Sequence, residues 1–388
     1  MIRISDYIVK KIVENDIKQV FLVTGGGAMF LNDSIAKEKK LNYICNHHEQ
    51  ASAMAAEAYT RISGKVAFVN VTTGPGGINA LNGVFGAFTD SIPMIIISGQ
   101  VKRETLLSQY NNNGLRQLGD QEVDIISIVK PITKFAIQID NPNDIKYYLE
   151  KALFLAQNGR PGPCWIDIPI DVQSSFVDEE NLRSYEIEQN EIIPNVSNAD
   201  IDFVISKISK SVRPVILVGN GIRISKSENI FEKVIQKLSI PVTTAWTAHD
   251  IIDSNNELYC GRPGFVGDRA GNFVVQNSDL FIVLGSRLGI RQLSYNWKSF
   301  ARESFIIQVD IDEAELTKPF IKINMPIVSD LNIFLEILND KLIKKNYIRN
   351  DEHIKWLKWS KEKTIQFPVF KKEFELTKLL NPYLFFFQ

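Results

Sequence analysis

Short, unbroken apolar runs recur along this sequence, each halted by small or polar residues and followed by a stretch with helical spacing. Val20-Phe21-Leu22-Val23 stops at Gly25-Gly26-Gly27, and a second strand, Asn42 to Asn46, leads into an alanine-rich segment from about Glu49 to Ile62. Val66 to Val71 ends at Thr72-Thr73-Gly74-Pro75-Gly76, Pro93 to Ser98 is a fourth strand, and Cys164 to Ile168 a later one. Strands that are apolar on both faces and alternate with helices predict parallel sheets covered on both sides, an α/β fold of doubly wound domains. The chain's first helical stripe, Ile8, Val9, Ile12 and Val13, carries a candidate cap at Ser5.

The pattern pauses and restarts. Residues 171–195 are rich in Glu, Asp, Asn, Gln and Ser and read as a linker. A second α/β unit begins at Val215-Ile216-Leu217-Val218-Gly219 and continues through Pro241–Thr244, Leu280–Leu284 and Phe305–Val309. This divides the chain into an N-terminal domain over 1–170, the linker, a central domain over 196–335 and a Lys-rich, helical connector over 336–388. A length of 388 residues suits two or three domains.

Composition excludes several roles. Lys+Arg at 44 balance Asp+Glu at 45, so no bulk charge recruits nucleic acid or anionic lipid. No apolar run approaches the roughly 20 residues that span a bilayer, and the N-terminus lacks the pattern of a signal peptide. Cys45, Cys164 and Cys260 are sparse and far apart, which points to reduced thiols in a cytoplasmic protein.

In open parallel sheets, ligands bind beyond the carboxyl ends of the strands. Three segments collect at such ends in the first domain: Thr24-Gly25-Gly26-Gly27, His47-His48-Glu49-Gln50 and Thr73-Gly74-Pro75-Gly76-Gly77-Ile78-Asn79. Each glycine loop alone could be a tight strand-to-helix turn; their convergence on one sheet argues for a site. Glu49 opens a helix whose next residues are small (Ala51, Ser52, Ala53, Ala55, Ala56), as close packing on another helix requires. A carboxylate there can also do no more than complement the helix dipole. His47 and His48 have no third ligand at metal spacing, so a hydrogen-bonded or exposed pair is the simpler reading. Gly219-Asn220-Gly221 is a broken dinucleotide fingerprint, with Ile224 where a third glycine belongs, and an NAD-binding role rests on that alone.

Taken together, His48-Glu49-Gln50-Ala51, Thr73-Gly74-Pro75-Gly76, Asn79, Asp90-Ser91-Ile92-Pro93 and Ser98-Gly99-Gln100 closely resemble the thiamine-diphosphate enzymes of the acetolactate synthase type. In the second domain the resemblance rests on Gly261-Arg262-Pro263-Gly264, Leu284-Gly285-Ser286-Arg287 and Asp310-Ile311-Asp312-Glu313-Ala314-Glu315-Leu316. It implies a pyrimidine-binding domain followed by a central Rossmann-like domain. It implies that Glu49 hydrogen-bonds the N1′ nitrogen of the cofactor's aminopyrimidine ring and so promotes loss of the proton from thiazolium C2. It implies too that Thr24, Gly25, Pro75 and Asn79 line the pyrimidine pocket and that Gln121 lines the substrate channel. The reaction implied is decarboxylation or carboligation of a 2-keto acid such as pyruvate, in a homodimer or tetramer.

Three departures qualify what carries over. Asp120 stands before Gln121 where acetolactate synthases have Phe, which puts a second pyruvate as acceptor in doubt and favours a more polar one. Arg287 is followed by Leu288-Gly289-Ile290-Arg291 in place of the aromatic and acidic residues of flavin-binding members, which weighs against FAD without removing it. The family holds diphosphate and Mg²⁺ through a Gly-Asp-Gly motif and paired asparagines in a third domain. The nearest approach here is Gly267-Asp268-Arg269, inside the central domain. The expectation is a truncated or split chain, inactive without that domain or a separate chain carrying it; no residue here is expected to ligate a metal. The alternative is a non-catalytic cofactor half-site or assembly subunit, or the inert product of a disrupted gene.

Overall fold

A computed structural model describes residues 1–110, 114–188, 195–376 and 381–387. It divides into two compact units, Met1–Ile192 and Ile193–Gln388.

The first unit contains β1 (Ile2–Arg3), β2 (Gln19–Leu22), β3 (Asn42–Cys45), β4 (Ala67–Val71), β5 (Met94–Gln100), β6 (Phe135–Gln138), β7 (Pro163–Pro169) and β8 (Phe176–Val177). Six of these form one sheet in the order β3-β2-β4-β5-β7-β6, every neighbouring pair parallel. Successive residues alternate between two cores. Phe68, Ile95, Ile97 and Ile166 face one, and Val69, Val71, Ile96 and Trp165 the other. Burial on both faces is what the unbroken apolar runs require.

β1 and β8 form a separate antiparallel pair. That pairing relocates the first cap. Ile4 N donates to Ser175 O at 2.9 Å as the chain leaves β1, so the helix Ile4–Glu14 starts with Arg3 at the N-cap position. Ser5 lies inside the helix, buried, with no partner for its hydroxyl. The polar stretch from 171 also opens with structure: a short helix, Ile170–Gln173, then β8 and the turn Glu179–Asn181. Residues 189–194 of it lie outside the described residues.

The second unit contains β9 (Pro214–Val218), β10 (Val242–Thr244), β11 (Leu280–Leu284), β12 (Phe305–Asp310) and β13 (Met325–Val328), parallel throughout in the order β10-β9-β11-β12-β13. It too has a core on each face, one around Ile216, Ile282 and Phe334, the other around Leu217, Phe281 and Trp356. The connector is built into this unit. Within the helix Asp351–Gln366, Trp356 Nε1 donates to Pro214 O at 3.0 Å. The helix Pro382–Phe387 follows, and Gln388 lies outside the described residues. No helix among the described residues is long and apolar enough to cross a membrane.

Candidate active site

The neighbouring strands β3, β2 and β4 deliver three segments to one end of the first sheet. From β3 the chain turns through Asn46, whose Nδ2 donates to Ser52 Oγ at 3.1 Å, into the helix Glu49–Ser63. His48 is the cap of that helix: its Nδ1 accepts from Gln50 N at 3.1 Å. This explains the histidine without a metal, since capping satisfies an amide that the helix leaves unpaired. Glu49, the first helical residue, is buried, at 8% exposure.

From β4 the chain passes Thr72 and Thr73, takes a left-handed turn at Gly74 (φ +54°), and starts the helix Pro75–Thr89 with Pro75 in its first turn. Proline there loses no hydrogen bond. One turn later Asn79 Nδ2 donates to Glu49 Oε2 at 3.0 Å. No donor among the described residues reaches Oε1. That oxygen lies beside Gly76, where an added Cβ would sit 3.4 Å from it and 2.8 Å from Thr72 Cγ2. The two helices approach closely enough that a Cβ on Gly83 would come within 2.5 Å of Ala53 Cβ. This close approach is the use the alanine-rich sequence has for its small residues.

Gly25, beyond β2, packs on Thr72, 2.5 Å from its Cβ to an added methyl, and Gly27 N donates to Thr72 Oγ1 at 3.1 Å. These glycines therefore serve close packing between turns. Thr24 is exposed at the rim, and Pro75 is exposed as well. Asp120 and Gln121 lie on a turn after β5, both exposed, with Gln121 left-handed (φ +61°). The Gln121 carbonyl rests on Gly74, 2.0 Å from where a Cβ would be. Any other residue at Gly74 would displace the turn.

The structure thus joins Glu49, Asn79 and Gly76 directly, brings Gly25 to them through Thr72, and sets the Gln121 turn on the adjoining Gly74. Thr24 and Asp120 are placed at the edge with no hydrogen bond among the described residues. A buried carboxyl with one oxygen fixed and the other beside a residue lacking a side chain suits a flat ring that presents a nitrogen. The described residues fit the pyrimidine half of thiamine diphosphate on that ground.

Sequence reasoning missed another buried carboxyl, on the first sheet itself. Asp167, on β7, accepts from Ser98 Oγ at 2.5 Å and from Gln100 Nε2 at 3.1 Å. Trp165 Nε1 donates to Ser98 Oγ at 2.8 Å. Burial pushes the Asp167 carboxyl up to about 7. The available signal was an acidic residue in the middle of the apolar run Cys164–Ile168.

In the second unit, Gly219 and Gly221 press against the turn at Gly285: a Cβ on Gly219 would lie 2.1 Å from Gly285 O. Mutual packing of two turns accounts for the Gly-Asn-Gly sequence. Asp268, of the Gly-Asp-Arg stretch, accepts from Gly271 N at 2.6 Å and Arg262 N at 2.7 Å, so its carboxylate caps the helix Arg269–Gln276. Among the described residues no three of His, Cys, Asp and Glu stand together as metal ligands would.

Residues 2–128 match the family described as thiamine pyrophosphate enzyme, N-terminal TPP binding domain, and residues 201–338 match its central domain. The chain is 34% identical over 364 residues to the acetolactate synthase large subunit of Lactococcus lactis subsp. lactis, covering 92% of this chain and 60% of that protein. It is 31% identical over 373 residues to that of the alga Cyanidium caldarium, covering 93% and 62%. The chain spans about 60% of the length of these curated relatives. With two successive domains matched over more than half of its residues, the chain belongs to the thiamine pyrophosphate enzymes and resembles their acetolactate synthase members.

Proposed function

We propose that this chain supplies the aminopyrimidine-binding half of a thiamine-diphosphate-dependent carboligase or decarboxylase acting on a 2-keto acid such as pyruvate. The observation that carries this reading is the Glu49 carboxyl, buried, held at Oε2 by Asn79 and left at Oε1 beside Gly76. When bound, thiamine diphosphate supplies the electron sink for loss of carbon dioxide from the keto acid. Asn79 fixes the carboxyl plane. Glu49 Oε1 would hold a proton for the ring nitrogen, and Gly76, which has no side chain, would leave room for the ring. Gln121 and Asp120, on the turn seated on Gly74, face the substrate side, and the Asp120 charge favours a polar acceptor.

The diphosphate and Mg²⁺ would be held by a further domain, in the same polypeptide or in another chain; FAD is no part of this reading. Partnering with a second copy is supported by the exposed apolar side chains Met54, Ile78 and Phe85 on the two helices that carry Glu49 and Asn79. A cytoplasmic location is supported by three free cysteines, of which burial pushes Cys164 and Cys260 up to about 12, leaving them inert.

Calorimetric titration of the chain with thiamine diphosphate and Mg²⁺ tests the assignment. Binding by the wild type that is lost in Glu49→Gln is the expected result; equal binding by both proteins removes Glu49 from the site. An assay of pyruvate decarboxylation by the chain alone is expected to show no turnover, and robust turnover would overturn the need for a further domain.

A further inference from the structure

The turn that carries Asp120 and Gln121 is tied to the sheet by one side chain. Gln100, the last residue of β5, donates from Nε2 to Val123 O at 3.0 Å and to Asp167 Oδ2 at 3.1 Å, while its Oε1 accepts from Val101 N at 3.0 Å. Both amide hydrogens and the amide oxygen are used, so the orientation of the amide is set by its partners. The residue it faces, Asp167, also accepts the Ser98 hydroxyl, whose oxygen accepts from Trp165. The Ser98 hydroxyl and one Gln100 amide hydrogen point at the carboxylate. The donors favour its charged form; burial favours the neutral one. The charged groups acting on it are Asp124, at the end of the same turn, and Asp140, beyond β6, and both oppose ionisation.

We propose that Asp167 is a positioning residue: its carboxylate holds the Gln100 amide in the orientation that pins the Val123 carbonyl, and so fixes the Asp120–Gln121 turn over Gly74. What the turn is positioned for rests on the function proposed above. A proton on Asp167 Oδ2 would face the Gln100 amide hydrogen that binds there. The amide would turn, its bonds to Val123 O and Val101 N would break together, and the turn would loosen. The carboxyl titrates near 7, so the turn is held above neutrality and released below it. Stability follows a different course. A folded-state value raised above the ordinary 3.8 gives a contribution fully present below 3.8 and lost as pH rises through about 7. Local order of the turn and the Asp167 contribution to global stability therefore move in opposite directions with pH, which a purely structural carboxyl would not produce.

Hydrogen exchange on the full chain tests this without any ligand. Amide protection over residues 119–124, corrected for intrinsic rates, is expected to rise about tenfold from pH 6 to pH 8, the worth of roughly one hydrogen bond. Gln100→Leu and Asp167→Asn are expected to hold it at the low value at both pH values while β5 and β7 stay protected. A wild-type profile flat with pH would overturn the proposal. So would wild-type protection of the turn in either variant whose β5 and β7 remain folded; if Asp167→Asn unfolds them, Gln100→Leu decides. Glu49→Gln is expected to keep the wild-type exchange profile. Thiamine diphosphate titrations of the same proteins separate the two readings, because absence of Glu49-dependent binding with the exchange profile intact overturns the proposed function and supports the pin.

Discussion

At the scale of single residues, the candidate site depends on one hydrogen bond. Asn79 is the only described donor to the Glu49 carboxyl, so Asn79→Ala leaves a buried acceptor unpaired. The expected outcome is a loss of about 1–3 kcal/mol in stability by urea denaturation together with weaker thiamine diphosphate binding by calorimetry. His353, in the second unit, gives a pH-dependent case. Its Nε2 donates to Ser211 O at 3.0 Å, and its buried Nδ1 has no hydrogen-bond partner among the described residues. Burial lowers its value below the ordinary 6.5. A depressed folded-state value means stability present above 6.5 and lost as pH falls below it. Denaturation midpoints of the wild type should fall between pH 7 and pH 5 more steeply than those of His353→Gln. Glu49 was legible as a candidate because it opens a helix at a strand end and sits in a recognisable motif. Asp167 was not, because its importance lies in partners 67 and 69 residues away along the chain.

Among the elements, the helices Glu49–Ser63 and Pro75–Thr89 approach each other closely. Gly83 has Ala53 Cβ at 2.5 Å and Met54 N at 2.7 Å from an added methyl, and neither neighbour has a flexible end that could move aside. Gly83→Ala should cost about 1–3 kcal/mol from overpacking, set against about 1 kcal/mol of improved helix propensity. A lower melting temperature is the expected measurement, and a higher one would show that the helices part freely. Central strands were readable from composition because both of their faces are buried. β6 and β13, each at one edge of its sheet, were not. β6 is only half-buried, and β13 carries Pro326, exposed, which an edge tolerates and an interior strand does not. The glycine loops were readable as turns at the carboxyl ends of the strands. Which turn each glycine packs against is given by contacts that no spacing reports.

For the molecule as a whole, each unit builds its cores from its own residues. Phe334 is fully buried in the second unit, and Phe334→Ala should cost about 3–5 kcal/mol there. Calorimetric unfolding should show that loss while thiamine diphosphate titration shows Glu49-dependent binding unchanged. A parallel loss of binding would show that the two units depend on each other.

The turn at Asp120 and Gln121 has a consequence for how such a protein can change. Its backbone is fixed from beneath: Glu122 accepts from Leu107 N, Leu118 N and Gly119 N, and Gln100 holds Val123. The side chains of Asp120 and Gln121 are exposed and take no part in those bonds. Replacing Asp120 alters what the rim presents while leaving the scaffold untouched, and so does replacing Gln121 by a residue that tolerates its left-handed backbone. On the function proposed above, a lineage can therefore explore new acceptors here one substitution at a time, whereas the anchors at Gly74, Gln100 and Glu122 tolerate no such drift.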